Sequence, residues 1–215
     1  MKTEEAIVLI GGGGHCRSCI DVIEEEGKYA IAGIVVRDNA QREEAPGYEI
    51  IGTDADLPRL VKEYRNFHIA FGQIRSSHGR LSCFRVLEGL GATLPVIVSP
   101  YARVSRRART EGGTIVMHNA VINSGARIGR NCIINTGALV EHDATVGDCC
   151  HIAPAAVVNG GVTIGPGSFV GSNAVIREYL TIGAEVVIGM GVVVREDIPD
   201  ATIVTGNPAA GRGRR

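Results

Sequence analysis

The chain has 215 residues, 45% of them hydrophobic, and 22 basic against 23 acidic side chains give a net charge of −1. That balance argues against nucleic acid or an anionic membrane as a general partner. The acidic N-terminus leads into an apolar run too short for a signal peptide or a membrane span, so a soluble cytoplasmic protein is expected.

From the N-terminus, Ala6 to Ile10 reads as a strand, Gly11, Gly12, Gly13 and Gly14 as a glycine loop, and 16–26 as a helix with Cys16, Cys19, Ile20 and Ile23 on one side. A strand at 31–36, a helix at 54–65, a strand at 68–71, a helix at 81–90 and a strand at 94–98 follow. This alternation predicts a small Rossmann-like α/β domain with a parallel sheet over residues 1–97. A glycine loop between strand and helix lets backbone N–H groups approach a phosphate. The spacing departs from the dinucleotide fingerprint, because Cys16 stands where its last Gly would be, and Val36 is followed by Arg37 and Asp38. With a sheet about half the usual size, a mononucleotide or nucleotide-sugar is favoured over NAD.

From Val98 onward, counting in sixes meets Val104, Val116, Ile122, Ile128, Ile134, Val140 and so on to Val194, broken only at Thr110. The residue two places earlier is usually small, as in Ala120, Cys132, Ala138 and Cys150, and the one after is often Gly, as in Gly129, Gly147 and Gly165. This beat fits a prism of short parallel strands in which three hexads close an 18-residue coil. Residues 98–215 are therefore expected to form a parallel β-helix with a C-terminal tail, the glycines supplying backbone freedom at its corners.

The six Cys do not look like a disulfide framework. Cys132 and Cys150 read as reduced interior fillers and Cys149 as an outward, inert neighbour. Cys16 and Cys19 form a CxxC, which leaves a redox reading open, although the glycines before it suit a ligand loop better.

On the prism, His142 lies two places beyond Val140, hence outward, and one coil later comes Gly160. A bare backbone should sit about 4.8 Å from it. A histidine next to an N–H without a side chain leaves room for a thioester carbonyl: His142 could take a proton from an attacking amine or hydroxyl while the Gly160 N–H holds the oxyanion. Asp143, being the next residue, can reach the ring only if the backbone bends there.

The pairing of IGGGGH at 10–15 with INTGALVEHDATVGDCCHIAPAAVVNGGVTIG at 134–165 resembles the NeuD/PglD family of bacterial sugar acetyltransferases. The likeness also takes in GQI near 72, SPYARVS at 99–105 and TGNPA at 205–209. It implies a left-handed helix, a homotrimer with active sites between chains, a nucleotide-sugar on the first domain, and acetyl-CoA as co-substrate between prisms, with no metal. It also implies that His142 is the base, Asp143 its orienter, and His151 a contact of the thioester region. By the same likeness Gly189 and Gly191 lie against pantetheine, Asn135 against the sugar and His15 near the nucleotide-sugar. Pro208 and Ala209 cross near CoA, with Arg212, Arg214 and Arg215 within reach of its phosphates. The expected reaction is N-acetylation of a UDP-linked 4-amino sugar for surface glycan synthesis by direct transfer. O-acetylation of a sialic-acid-like sugar and a non-catalytic nucleotide-sugar scaffold are the alternatives. A zinc site of the kind found in some prism trimers is disfavoured, because His118, His142 and His151 lack the close pair it uses.

Overall fold

In the computed structural model, the described residues are 5–37, 47–206 and 210–213, with side chains described up to 206. Asp38, Pro208, Ala209, Arg214 and Arg215 lie outside them, and of Arg212 only the backbone is described.

The first domain holds β1 (Glu5–Ile10), α1 (Gly14–Glu26), β2 (Tyr29–Val36), β3 (Ile50–Thr53), α2 (Leu57–Glu63), β4 (Asn66–Ile69) and α3 (His78–Gly89). Its sheet is parallel, in the order β3-β2-β1-β4. The helix expected at 54–65 is a short 3-10 turn, Asp54–Asp56, running into α2, with Pro58 in the first turn of α2. The 3-10 turn is closed by a capping box in which Asp56 Oδ2 accepts from the Thr53 N–H at 2.9 Å. β3 was not foreseen, since its four residues IIGT give too little alternation to stand out. The strand expected at 94–98 shrinks to Ile97–Val98, which belongs to the prism.

The prism is a left-handed parallel β-helix with two-residue strands on three faces. The first face carries Ile97–Val98, Ile115–Val116, Ile133–Ile134, His151–Ile152, Phe169–Val170 and Val187–Ile188. The second carries Leu139–Val140 and Val157–Val158, the third Thr145–Val146 and Thr163–Ile164, each with register partners exactly one coil away. The counted aliphatics and the small residues before them, Cys132 and Cys150 among them, fill the axis as one buried core. Each Val or Ile removed from water there contributes about 1.5–3 kcal/mol, and the small residues less.

The corners correct one expectation. The left-handed backbone falls three places after each aliphatic, not one: from Gly113 to Gly191 every sixth residue has positive φ, including Asn131, Asp143, Cys149 and Tyr179. The glycines one place after the aliphatic serve a different need. A Cβ on Gly147 would stand 2.8 Å from Pro166 N, and one on Gly165 2.5 Å from Ala184 N, so these sites are bare because successive coils approach closely.

The first domain seats on the first face, where Cys16, Cys19 and Ile23 share a core with Ile97, Ile115, Met117 and Ile133. His118 ties the two halves, bonding Ser99 Oγ through Nδ1 at 2.6 Å and Asp21 of α1 through Nε2 at 2.7 Å. Arg130 joins Glu88 of α3 to Asp148 of the prism. Cys149 points away from the axis, as expected, but the first domain covers it, leaving it buried rather than on the surface. Cys16 and Cys19 are free and buried, and burial pushes the Cys16 thiol up to about 11 and raises Cys19 as well, so neither is poised as a redox thiolate.

Candidate active site

The residues singled out in the sequence separate into two groups on opposite sides of one prism. The first group surrounds a cavity of about 840 Å³ at the C-terminal ends of the parallel strands. Gly11, Gly12, Gly13 and Arg37 line it together with Phe71, Gln73, Asp54, Leu57, Arg80, Cys83 and Val86. Gly11 has φ +106 and lies so close to Phe71 that a Cβ would meet its side chain at 3.1 Å, which fixes glycine there. Gly13 caps α1 without any side-chain hydrogen bond, so the N-terminal end of α1 starts at the cavity wall. Gly14, already helical, and His15, near His151, are not among the residues that line it.

Arg80 escaped the sequence reading. Its guanidinium is 1% exposed and bonded only to neutral oxygens: Ile69 O and Phe71 O through Nη1, Asn131 Oδ1 and O through Nη2. It forms no ion pair among the described residues, and its Nε has no partner. A buried cation without a counter-charge, Arg37 near the same Phe71 ring and an uncapped helix start together give the cavity a potential that favours an anion. The contacts of Arg80 join positions 51 residues apart, and no local pattern announces them.

Behind the cavity, the loop after β4 meets the first face of the prism. The His151 Nδ1–H donates to Gln73 O at 2.8 Å, and its Nε2 faces Asn135 Nδ2 at 3.0 Å. Asn135 Oδ1 is occupied by the Thr136 N–H at 2.8 Å, which leaves its amide NH₂ toward His151 and fixes the imidazole as a single neutral tautomer. Burial holds the His151 pKa down to about 4 against the opposing effect of the Gln73 carbonyl, with Arg80 adding to the depression. The half-buried His15 lies 6.4 Å from it, ring to ring, and is held to about 3 by burial, Arg80 and His151. Three coils above Asn135, about 14 Å away, Gly189 and Gly191 flank Met190 on the same corner, and Met190 is 82% exposed.

The second group occupies the corner between the second and third faces. His142 Nδ1 stands 3.0 Å from Asp143 Oδ2, and both side chains are more than half exposed. Asp143 reaches the preceding ring because its φ is +59, a conformation that Asp tolerates. The imidazole lies over Gly160: a Cβ there would stand 2.7 Å from Cε1 and Nε2. Asp143 thus holds the Nδ1–H form and leaves the Nε2 lone pair above a bare backbone. The Gly161 N–H donates to His142 O at 2.9 Å, whereas the Gly160 N–H has no partner among the described residues. Among those residues no group of three or more His, Cys, Asp or Glu side chains is placed to hold a metal ion. No helix among them is long and apolar enough to cross a membrane.

Residues 6–78 match the PglD N-terminal domain family, 143–178 the bacterial transferase hexapeptide family, and 161–196 the hexapeptide repeat of succinyl-transferase. No curated protein sequence matches the chain. Among solved structures, a histidine-to-asparagine variant of perosamine N-acetyltransferase from Caulobacter crescentus, in complex with CoA and GDP-perosamine, is 34% identical over 99% of both chains, with a TM-score of 0.91. The acetyltransferase domain of PglB from Neisseria gonorrhoeae, in complex with acetyl coenzyme A, is 33% identical over 97% of this chain and 99% of that one, with a TM-score of 0.88. WeeI from Acinetobacter baumannii, 23% identical with a TM-score of 0.85, shares the fold. An α/β head on a hexapeptide prism with this likeness defines an acyltransferase that draws its acyl group from acetyl-CoA. The chain belongs to the NeuD/PglD-like family of sugar acetyltransferases.

Proposed function

We propose that the protein moves the acetyl group of acetyl-CoA onto the amine of a nucleotide-linked 4-amino sugar, with His142 as general base. One observation carries the reading: His142 is held by Asp143 at 3.0 Å with Nε2 over the bare backbone of Gly160. As the sugar nitrogen attacks the thioester carbonyl, Nε2 takes its proton and the imidazolium is balanced by Asp143. The oxyanion is held by the Gly160 N–H, the C–S bond breaks, and His142 returns the proton to the departing CoA sulfur. Direct transfer is favoured because, among the described residues, the Ser124 hydroxyl one coil before His142 forms no hydrogen bond to the imidazole, whose Nδ1 is held by Asp143 instead.

The two groups of residues support an active site assembled from two chains. His142 sits on the corner opposite the face that the first domain covers, which favours a site completed by the nucleotide cavity of another chain. A homotrimer with parallel prisms brings His142 and Gly160 of one copy beside Asn135, His151 and the cavity of its neighbour. In that groove acetyl-CoA runs along the corner bearing Gly189 and Gly191, and His151 and Asn135 face the acetyl and sugar groups. The neutral, fixed His151 then serves as a hydrogen-bonding wall rather than a second base. The carrier expected from the sequence is UDP, whereas the Caulobacter relative was crystallised with a GDP sugar.

The test is CoA release and product mass with nucleotide-linked 4-amino sugars, the matching hydroxy sugars and free sialic acids as acceptors. Gain of one acetyl on the 4-amino sugar is expected; gain only on a hydroxyl or a sialic acid contradicts the N-acetyl reading.

A further inference from the structure

Among the described residues, the nucleotide cavity contains one charge of the wrong sign for its ligand. Asp54 lines it, exposed, and its carboxylate forms no hydrogen bond or ion pair among the described residues. An N-terminal carboxylate often serves its own helix, but here Asp56 does that work, accepting from both the N–H and the hydroxyl of Thr53. Asp54 remains free to face the cavity. Its charge is felt at the Cys83 thiol across the wall, where burial first and Asp54 second push the thiol up to about 12.

The sheet order locates Asp54 along the ligand. Moving from β1 to β2 to β3 in the order β3-β2-β1-β4 leads from the glycine loop and its phosphate-binding N–H groups, past Arg37 at the end of β2, to Asp54 directly after Thr53 at the end of β3. A nucleotide diphosphate laid across parallel strands in this way puts its phosphates at the first strand, its ribose at the second and its base at the third. The base end is otherwise apolar, formed by Val36, Leu57, Cys83 and Val86, with the Ser82 hydroxyl on the same wall. A carboxylate there repels every acceptor and rewards adjacent N–H donors. Guanine offers that arrangement, N1–H beside N2–H₂, matched to the two oxygens of one carboxylate. Uracil has a single N3–H between two carbonyls, and cytosine and adenine set a ring lone pair next to their amino group.

We propose that Asp54 selects a guanine nucleotide, so that the sugar carrier is GDP rather than the UDP expected from the sequence. Ser82 is the donor available to guanine O6; it serves a uracil carbonyl equally and so does not discriminate. The proposal rests on the reading of this cavity as the nucleotide site.

Titration calorimetry of the intact protein with GDP and UDP, for wild type, Asp54→Ala and Asp54→Asn, separates the two. GDP is expected to bind wild type about 10- to 100-fold more tightly than UDP, and Asp54→Ala is expected to remove that preference by weakening GDP alone. Asp54→Asn, which keeps the shape and loses the charge and one acceptor, is expected to fall between. Wild type preferring UDP, or Asp54→Ala weakening both nucleotides alike, overturns the guanine proposal while leaving the nucleotide site standing. Binding of neither nucleotide, with acetyl-CoA still bound, overturns the cavity reading and the proposal with it.

Discussion

His142 and Asp143 are neighbours in the chain, yet their side chains meet, Nδ1 to Oδ2 at 3.0 Å. In an extended strand they would face opposite sides. The left-handed backbone at Asp143, φ +59, swings its carboxylate back along the edge of the prism, and a corner of the hexapeptide coil thereby becomes a histidine–carboxylate pair. The same corner one coil on supplies Gly160, and the imidazole fills the space that a side chain there would need.

Gly160→Ala is therefore expected to displace the ring without unfolding the prism. An added methyl would stand 2.7 Å from Cε1 and Nε2, and the exposed histidine can swing away from it. Turnover should fall by about 10²- to 10⁴-fold, as for loss of a general base, while thermal unfolding stays near wild type. Crystallographic or NMR observation of the His142 ring would check the displacement.

If each site uses two chains, two inactive variants complement one another. His142→Ala removes the base, and Gly13→Phe blocks the cavity, since nothing lies within 4 Å of a Cβ at Gly13 and a bulky ring enters open space. Co-refolded mixtures should regain part of the activity that neither variant has alone. Persistent inactivity of the mixture would place cavity and base in one chain.

Acid stability follows from the buried histidines. His68 is fully buried with both ring nitrogens unpartnered, and burial, Arg80 and His15 lower its pKa from 6.5 to about 3. The unfolded chain takes up this proton below pH 6.5 and the folded chain does not, so stability is full above about 6.5 and declines as pH falls toward 3. Between pH 7 and 5 His68 alone accounts for a loss of about 2 kcal/mol. His68→Leu should remove that share, read as a smaller shift of the urea midpoint between those two pH values.

Cys16→Ala with Cys19→Ala should leave turnover intact. Both thiols are buried, free and pushed up by burial, and each contributes packing rather than electrons. A cost of about 1 kcal/mol each in stability is expected. Loss of turnover in a variant that remains folded would return the pair to the chemistry.

The prism was legible because each hexad repeats the same local requirement: a branched aliphatic for the axis, as at Val140 and Val158, and a small residue for the crowded wall, as at Ala138 and Ala156. His142 over Gly160 was legible too, since a period of 18 residues is enough to stack them. The corner backbone was less so. Asn131, Asp143, Cys149 and Tyr179 make the left-handed turn three steps past the aliphatic, whereas the turn was expected at the glycines one step past it; the turn tolerates other residues while the coil-to-coil contact does not. The environment of His151 could not be read from spacing at all. It is made by the loop carrying Gln73, 78 residues away, and by an Arg80 whose partners lie on two domains.

The most direct test of the central claim is a single-turnover comparison of wild type, His142→Ala and Asp143→Asn on the acceptor amine, with acetyl-CoA affinity measured in parallel. A loss of about 10²- to 10⁴-fold in the transfer rate for His142→Ala is predicted, with a smaller loss for Asp143→Asn and acetyl-CoA binding unchanged in both. Transfer at the wild-type rate by His142→Ala would contradict the assignment of His142 as the base.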